Sequence, residues 1–281
     1  MRPNIVLFGD SITQESFRSG GWGASLADTY SRKADVVLRG YGGYNTRWAL
    51  FLLHHLFPLV KLFFTFSVNL QMADQTVQFV TYSLKSPTSE ECFYCIVVGS
   101  TKPPVATTIF LGANDAALAG RTSERQHVPV EEYKENLRKI VRHLKECSPT
   151  MLIVLITPPP IDEEGRMEYA RETYGEKAMT LPERTNETTG VYAKGCIELA
   201  GELGVRSINL WSKMQETDGW QKKYLRDGLH LTAEGNAVVF DEVVKVFKEA
   251  WLDASEMPYD FPHHSEIDGK NPEKAFQQKC L

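Results

Sequence analysis

The chain predicts a doubly wound α/β domain, a parallel sheet with helices on both faces, and three observations carry that prediction. Short apolar runs rich in Val and Ile recur along it, as in strands buried on both faces. Between them lie stretches with apolar residues at spacings of three and four, the mark of amphipathic helices. Three of the five runs stop in Gly-rich or polar loops. In folds of this kind the functional residues sit on loops at the carboxyl ends of strands.

The elements follow in order. Ile5-Val6-Leu7-Phe8 is the first strand, ended by Gly9-Asp10-Ser11. Val36-Val37-Leu38 is the second, followed by Gly40-Tyr41-Gly42-Gly43, and a helix is expected over residues 46–57, ending near Pro58. Residues 105–111 form the third run, ended by Gly112-Ala113-Asn114-Asp115; residues 151–156 form the fourth, ended by three prolines; residues 205–210 form the fifth. The clearest helix is residues 130–147, where Tyr133, Leu137, Ile140, Val141 and Leu144 share one face. Residues 189–203 and 233–251 also read as helices. The predicted core includes Ile5, Leu7, Val37, Ile109, Leu152, Val154 and Leu210. Residues 159–186 read as a long polar rim or lid, and residues 255–281 as an irregular tail laid over a single domain of residues 1–254.

Composition narrows the function. The 281 residues carry 31 Lys+Arg against 36 Asp+Glu, a net charge of -5 with no basic block. Nucleic-acid binding, which needs a cationic surface for phosphates, is not expected. Five cysteines make no disulfide framework. The opening MRPNIVLFGDS reads as a core strand rather than a signal peptide, which predicts a cytoplasmic protein whose sequon at Asn186 never meets the glycosylation machinery. Cys92 and Cys95 have metal or redox spacing but no second pair, so no metal is expected. His54-His55 and His263-His264 read as packed or surface residues. No GxGxxG opens a helix after a strand, which argues against a dinucleotide site.

Four short stretches carry chemistry. Ser11 follows a strand directly, where a tight corner lets a hydroxyl project; Asp10 and Ser11 can equally be a plain helix cap. Asp227 and His230 are three apart, so one turn can join carboxylate and ring; His230 can equally be a satisfied histidine ahead of a helix capped by Thr232. A serine is a weak nucleophile until a base takes its proton, and a carboxylate-held histidine is such a base. Asn114 ends the third strand with a side-chain amide able to donate to an oxyanion. Gly43 follows the second strand and offers a backbone N–H with no side chain in the way. Turn chemistry explains each of the last two alone. All four at strand ends or late loops supply nucleophile, base, orienter and oxyanion donors together.

Their order, with the strings FGDSITQ, GGWGASLAD, RGYGGYNTRWAL, GANDAAL and RDGLHLTAEGN, resembles the SGNH (GDSL) hydrolases, and within them the isoamyl acetate-hydrolysing esterase branch and its plant GDSL members. The resemblance implies a flavodoxin-like three-layer α/β/α fold on a five-stranded parallel sheet. It implies a serine esterase acting on small acetate-type esters, with carbohydrate O-acetyl esters as the nearest alternative. It implies Ser11, Asp227 and His230 as the triad, and Ser11 N–H, Gly43 N–H and Asn114 as the oxyanion hole. The expected partner is a small-molecule ester, with no metal or organic cofactor. Trp48 and residues 159–186 are candidate pocket lining, although Trp48 reads first as packing.

One stretch departs from that pattern. Between Gly43 and Gly112 the family needs one helix and a short connection, yet residues 60–100 add an aromatic, apolar segment with few charges. A membrane span needs about 20 apolar residues, and His54, His55, Pro58, Lys61 and Asn69 interrupt the candidate at 49–70, so no stable span is expected. A lid is a second reading. The reading preferred on the flanks, which join as family sequence without the segment, is a translated retained intron or mispredicted exon. It carries the expectation that a chain joined from Leu59 to Lys102 is more soluble and more active. The contrary reading is a binding or scaffold protein that uses the segment for docking.

Overall fold

Parallel pairing joins five strands into one sheet of order β2-β1-β3-β4-β5. In this computed structural model, which describes residues 2–59, 103–178 and 180–277, the strands are β1 Asn4–Gly9, β2 Asp35–Gly40, β3 Ala106–Phe110, β4 Leu152–Ile156 and β5 Arg206–Ile208. The segment 60–102, with its aromatic stretch and the Cys92/Cys95 pair, lies outside the described residues. β1 is central: Ile5 is in register with Val36 on one side and Ala106 on the other.

Side chains alternate across a strand, and β1 feeds two cores. Ile5 and Leu7 pack beneath Leu26, Val239, Val243 and Phe247. Val6 and Phe8 pack beneath Leu137, Ile140, Tyr192 and Leu199. One face is therefore covered by α2 (Trp22–Thr29) and α6 (Ala233–Ala250), the other by α3 (Val130–Cys147) and α5 (Asn186–Leu203). A four-residue helix, α1 (Ser11–Gln14), leads out of β1.

Local signals explain the helix limits. α3 spans the expected residues, with Glu131 and Glu132 in its first turn and Lys145 in its last, each favourable against the helix dipole. α6 starts where Thr232 Oγ1 accepts from the Gly235 N–H at 3.1 Å. α5 starts three residues earlier than its apolar pattern suggests, because Thr185 caps it by accepting from the Thr188 N–H at 3.2 Å. The Asn186 amide is used in packing: Oδ1 accepts from Ile161 N and Trp211 Nε1, and Nδ2 donates to Gln215.

Several expectations need correction. Val37 is only half-buried, because β2 is an edge strand with one neighbour. Leu210 is fully buried but starts a short helix, Leu210–Gln215, capped by Asn209. The helix after β2 breaks into Thr46–Ala49, a 3-10 turn at Leu50–Leu52, and Leu53–Leu56. Residues 159–186 include α4 (Glu163–Tyr174), and residues 159–162 are buried.

The tail runs back over the domain. Asp260 N–H donates to Arg32 O, and the Arg32 guanidinium to Phe261 O. Among the described residues no helix is long and apolar enough to cross a membrane. The strand order places its reversal between β1 and β3, and the loops leaving their carboxyl ends open a crevice there.

Candidate active site

Ser11 stands at that crevice as the first residue of α1. Asp10 is the helix cap: its Oδ1 accepts from the Ile12 N–H at 2.9 Å. Of the two residues, Asp10 alone caps the helix, and the Ser11 hydroxyl projects from the corner. Ser11 Oγ lies 3.0 Å from His230 Nε2, across 219 residues of chain. Asp10 itself is buried, and desolvation pushes its carboxyl up to about 6 against the opposing pull of the Ile12 N–H and the His230 and Arg184 charges.

His230 is held by a tight turn. Asp227 Oδ1 accepts from Leu229 N at 3.1 Å and His230 N at 2.8 Å, while Oδ2 is 2.7 Å from His230 Nδ1. Gly228, between them, takes φ +76, which an L side chain rarely adopts. An antiparallel bridge between Leu225 and Leu231 closes the turn. Burial raises the Asp227 pKa, but the His230 ring and N–H and the Arg166 guanidinium outweigh it and hold the carboxyl well below its ordinary value. Asp227 is therefore an ionised acceptor, which favours the His230 tautomer with its proton on Nδ1 and Nε2 facing Ser11.

The loop after β2 lies against α1. Tyr41 N–H donates to Gly9 O at 2.9 Å and Gly42 N–H to Gln14 Oε1 at 2.7 Å. Gly43 follows at φ +78, and its N–H has no hydrogen-bond partner among the described residues. Asn114, on the loop after β3, donates from Nδ2 to Tyr44 O at 2.9 Å and accepts at Oδ1 from Arg184 at 3.2 Å. The next residue, Asp115, anchors the same loop by accepting from Thr46 N at 3.0 Å and from the Thr46 hydroxyl. Burial raises its carboxyl to about 7, although these same bonds pull it down. Trp48 is half-buried in an aromatic row, with Tyr44 at 5.9 Å and the Arg125 guanidinium at 5.7 Å.

The sequence reading missed the charged groups beneath the site. Arg166, Glu183 and Arg184 expose 8%, 14% and 3% of their side chains. Glu183 Oε1 accepts from both guanidiniums. Arg166 also donates to Asp227 O at 3.2 Å and lies 3.7 Å from Asp227 Oδ2. Apolar periodicity could not find these residues, since charges in a polar stretch look like a solvated loop until their partners are known. The one available signal was Arg and Glu adjacent at 183–184 just ahead of a helix cap, which is weak.

The five residues singled out by sequence therefore fall into two groups that meet at the β1/β3 crevice. Ser11, His230 and Asp227 form one continuous hydrogen-bonded chain. Gly43 and Asn114 lie on adjoining loops, joined through Tyr44 O.

A family model for the GDSL-like lipase/acylhydrolases matches residues 5–243. A GDSL esterase/lipase of Arabidopsis thaliana is 68% identical over 281 residues, covering all of both chains. An isoamyl acetate-hydrolyzing esterase 1 homolog of Bos taurus is 37% identical over 273 residues, covering 96% of this chain and 90% of its own. Among solved structures, a lipase/acylhydrolase of Enterococcus faecalis matches with a TM-score of 0.57 at 21% identity, covering 93% of this chain and 100% of its own.

Proposed function

The chain belongs to the GDSL-like lipase/acylhydrolase family and is a carboxylic ester hydrolase, and we propose that it works through an acyl-enzyme on Ser11. The observation that carries the proposal is the unbroken chain Ser11 Oγ, His230, Asp227, at 3.0 and 2.7 Å. Ser11 Oγ attacks the ester carbonyl while His230 Nε2 takes its proton. Asp227 keeps the ring in that tautomer and stabilises the imidazolium. The Ser11 and Gly43 N–H groups and the Asn114 amide receive the charge on the carbonyl oxygen. His230 returns its proton to the departing alcohol, and water repeats the sequence to release the acid.

The substrate proposed is a small acetate-type ester. Support comes from the 37% identity to a protein described as an isoamyl acetate-hydrolyzing esterase homolog. Replacing Ser11 with Ala is expected to abolish covalent labelling by a serine-directed phosphonate and all turnover; labelling that persists places the nucleophile elsewhere. A p-nitrophenyl ester series run beside an acetylated sugar tests the substrate class. A steep preference for the sugar overturns the small-ester assignment.

A further inference from the structure

We propose that Arg184 is a positioning residue that aligns both oxyanion donors, Gly43 and Asn114, and links them to the carboxylate of Asp227; this rests on the donor assignment made above. Arg184 is 2% exposed and carries only donors. Its guanidinium donates to Ala113 O at 2.7 Å, Asn114 Oδ1 at 3.2 Å, Gln126 Oε1 at 2.6 Å, and Glu183. Two of those acceptors belong to side-chain amides whose other ends reach the Gly43 loop.

The orientation of each amide is thereby decided. Asn114 turns Oδ1 to the guanidinium and Nδ2 to Tyr44 O. Flipping it would set an NH2 against a cation and an oxygen against a carbonyl. Its second Nδ2 hydrogen is the one left for an oxyanion. Gln126 is held likewise, with Oε1 on Arg184 and Nε2 donating to Gly43 O at 3.1 Å. The peptide bearing the Gly43 N–H thus lies between two pinned neighbours: Gly42 N–H on Gln14, and Gly43 C=O on Gln126. Gly43 at φ +78 has no side chain of its own to hold it, so its direction comes from these bonds.

The charge closes toward the triad. Arg184 pairs with Glu183, Glu183 with Arg166, and Arg166 with Asp227. One chain of alternating charge, its two guanidiniums buried and its two carboxylates half-buried, therefore runs from the oxyanion arm to the base. A planar guanidinium fork can serve these acceptors together, and a single ammonium cannot.

Gln126→Leu leaves the Arg184–Glu183 pair intact but cuts both the tie to Gly43 O and the acceptor offered to Arg184. Its kcat is expected to fall about ten- to a hundredfold, with KM within about threefold of the parent. Gln126→Glu keeps an acceptor for Arg184 but no donor for Gly43 O, and should match the Leu variant. Arg184→Lys should lose kcat by a similar or larger factor. The double variant Arg184→Lys/Gln126→Leu should lose much less than the product of the single losses, because both act through Gly43. Circular dichroism and thermal unfolding report the folded fraction, and the two Gln126 variants decide the matter where Arg184→Lys does not fold. An unchanged kcat per folded molecule in Gln126→Leu, or fully multiplicative losses in the double variant, overturns the proposal. Turnover retained by Ser11→Ala, measured alongside, removes instead the donor assignment on which the proposal stands.

Discussion

Gly165 and Gly228 meet backbone to backbone: a Cβ on Gly165 would come 3.1 Å from Gly228 Cα, and one on Gly228 would come 2.3 Å from Asp162 O and 2.5 Å from Arg166 N. The first turn of α4 is therefore the floor on which the Asp227–His230 turn rests, and Asp162 N–H donates to Gly228 O across the contact. Gly228→Ala adds a backbone clash to a strained φ. We expect a stability loss of about 1–3 kcal/mol and a loss of about a hundredfold in kcat as His230 shifts from Ser11. Urea unfolding and turnover measure the two separately. A variant with parental kcat would show that the turn does not depend on this contact.

Gly201 offers the opposite case. It lies in α5, is exposed, and a Cβ there meets nothing within 4 Å. Gly201→Ala should stabilise the protein by about 0.5–1 kcal/mol, since alanine loses less backbone freedom in a helix. Activity should be unchanged. A lower urea midpoint would contradict the placement of this residue.

Asp227→Asn keeps the shape of the turn but removes the charge that selects the His230 tautomer. A loss of about 10⁴-fold in kcat is expected from that change. The pKa of Asp227 is depressed in the folded state. Its contribution to stability is thus complete above the unfolded-state value of 3.8 and is lost as pH falls through the lower folded-state value. The difference in unfolding free energy between parent and Asp227→Asn should shrink as pH falls below 3.8. A constant difference across an acid titration would argue against an ionised Asp227.

Asp10 has the reverse sign. Its carboxyl is raised from 3.8 to about 6 by burial. Between those values the folded protein binds a proton that the unfolded chain has released, so stability falls as pH rises through that window. Asp10→Asn is free of this dependence. Relative to the parent it should gain about 3 kcal/mol in unfolding free energy between pH 3.8 and 7. Urea titrations at several pH values give the difference directly. A flat difference would mean that Asp10 titrates normally.

Much of the fold was legible from sequence because its rules are local or periodic. Ile5 to Phe8 had to be a buried strand, since four successive apolar residues fill both faces. The α3 span followed from apolar spacing over 18 residues. The edge position of β2, which leaves Val37 half-buried, was not legible, because a strand's neighbours are set by the whole sheet order.

The candidate site divides along the same line. By itself the sequence determined which residue types stand at the strand ends: Ser11, Gly43 and Asn114, and the Asp227–His230 pair, whose three-residue spacing makes a joined carboxylate and imidazole a property of one turn. Only the tertiary structure decided that Ser11 meets His230 across 219 residues, and that Arg166 and Arg184 lie buried beside both groups with the half-buried Glu183 between them. A carboxylate or guanidinium costs a great deal to bury alone and becomes tolerable once paired. Pairing is a relation between distant parts of the chain, and only the folded sheet brings residues 114 and 126 to 184, and residue 166 to 227, within bonding distance.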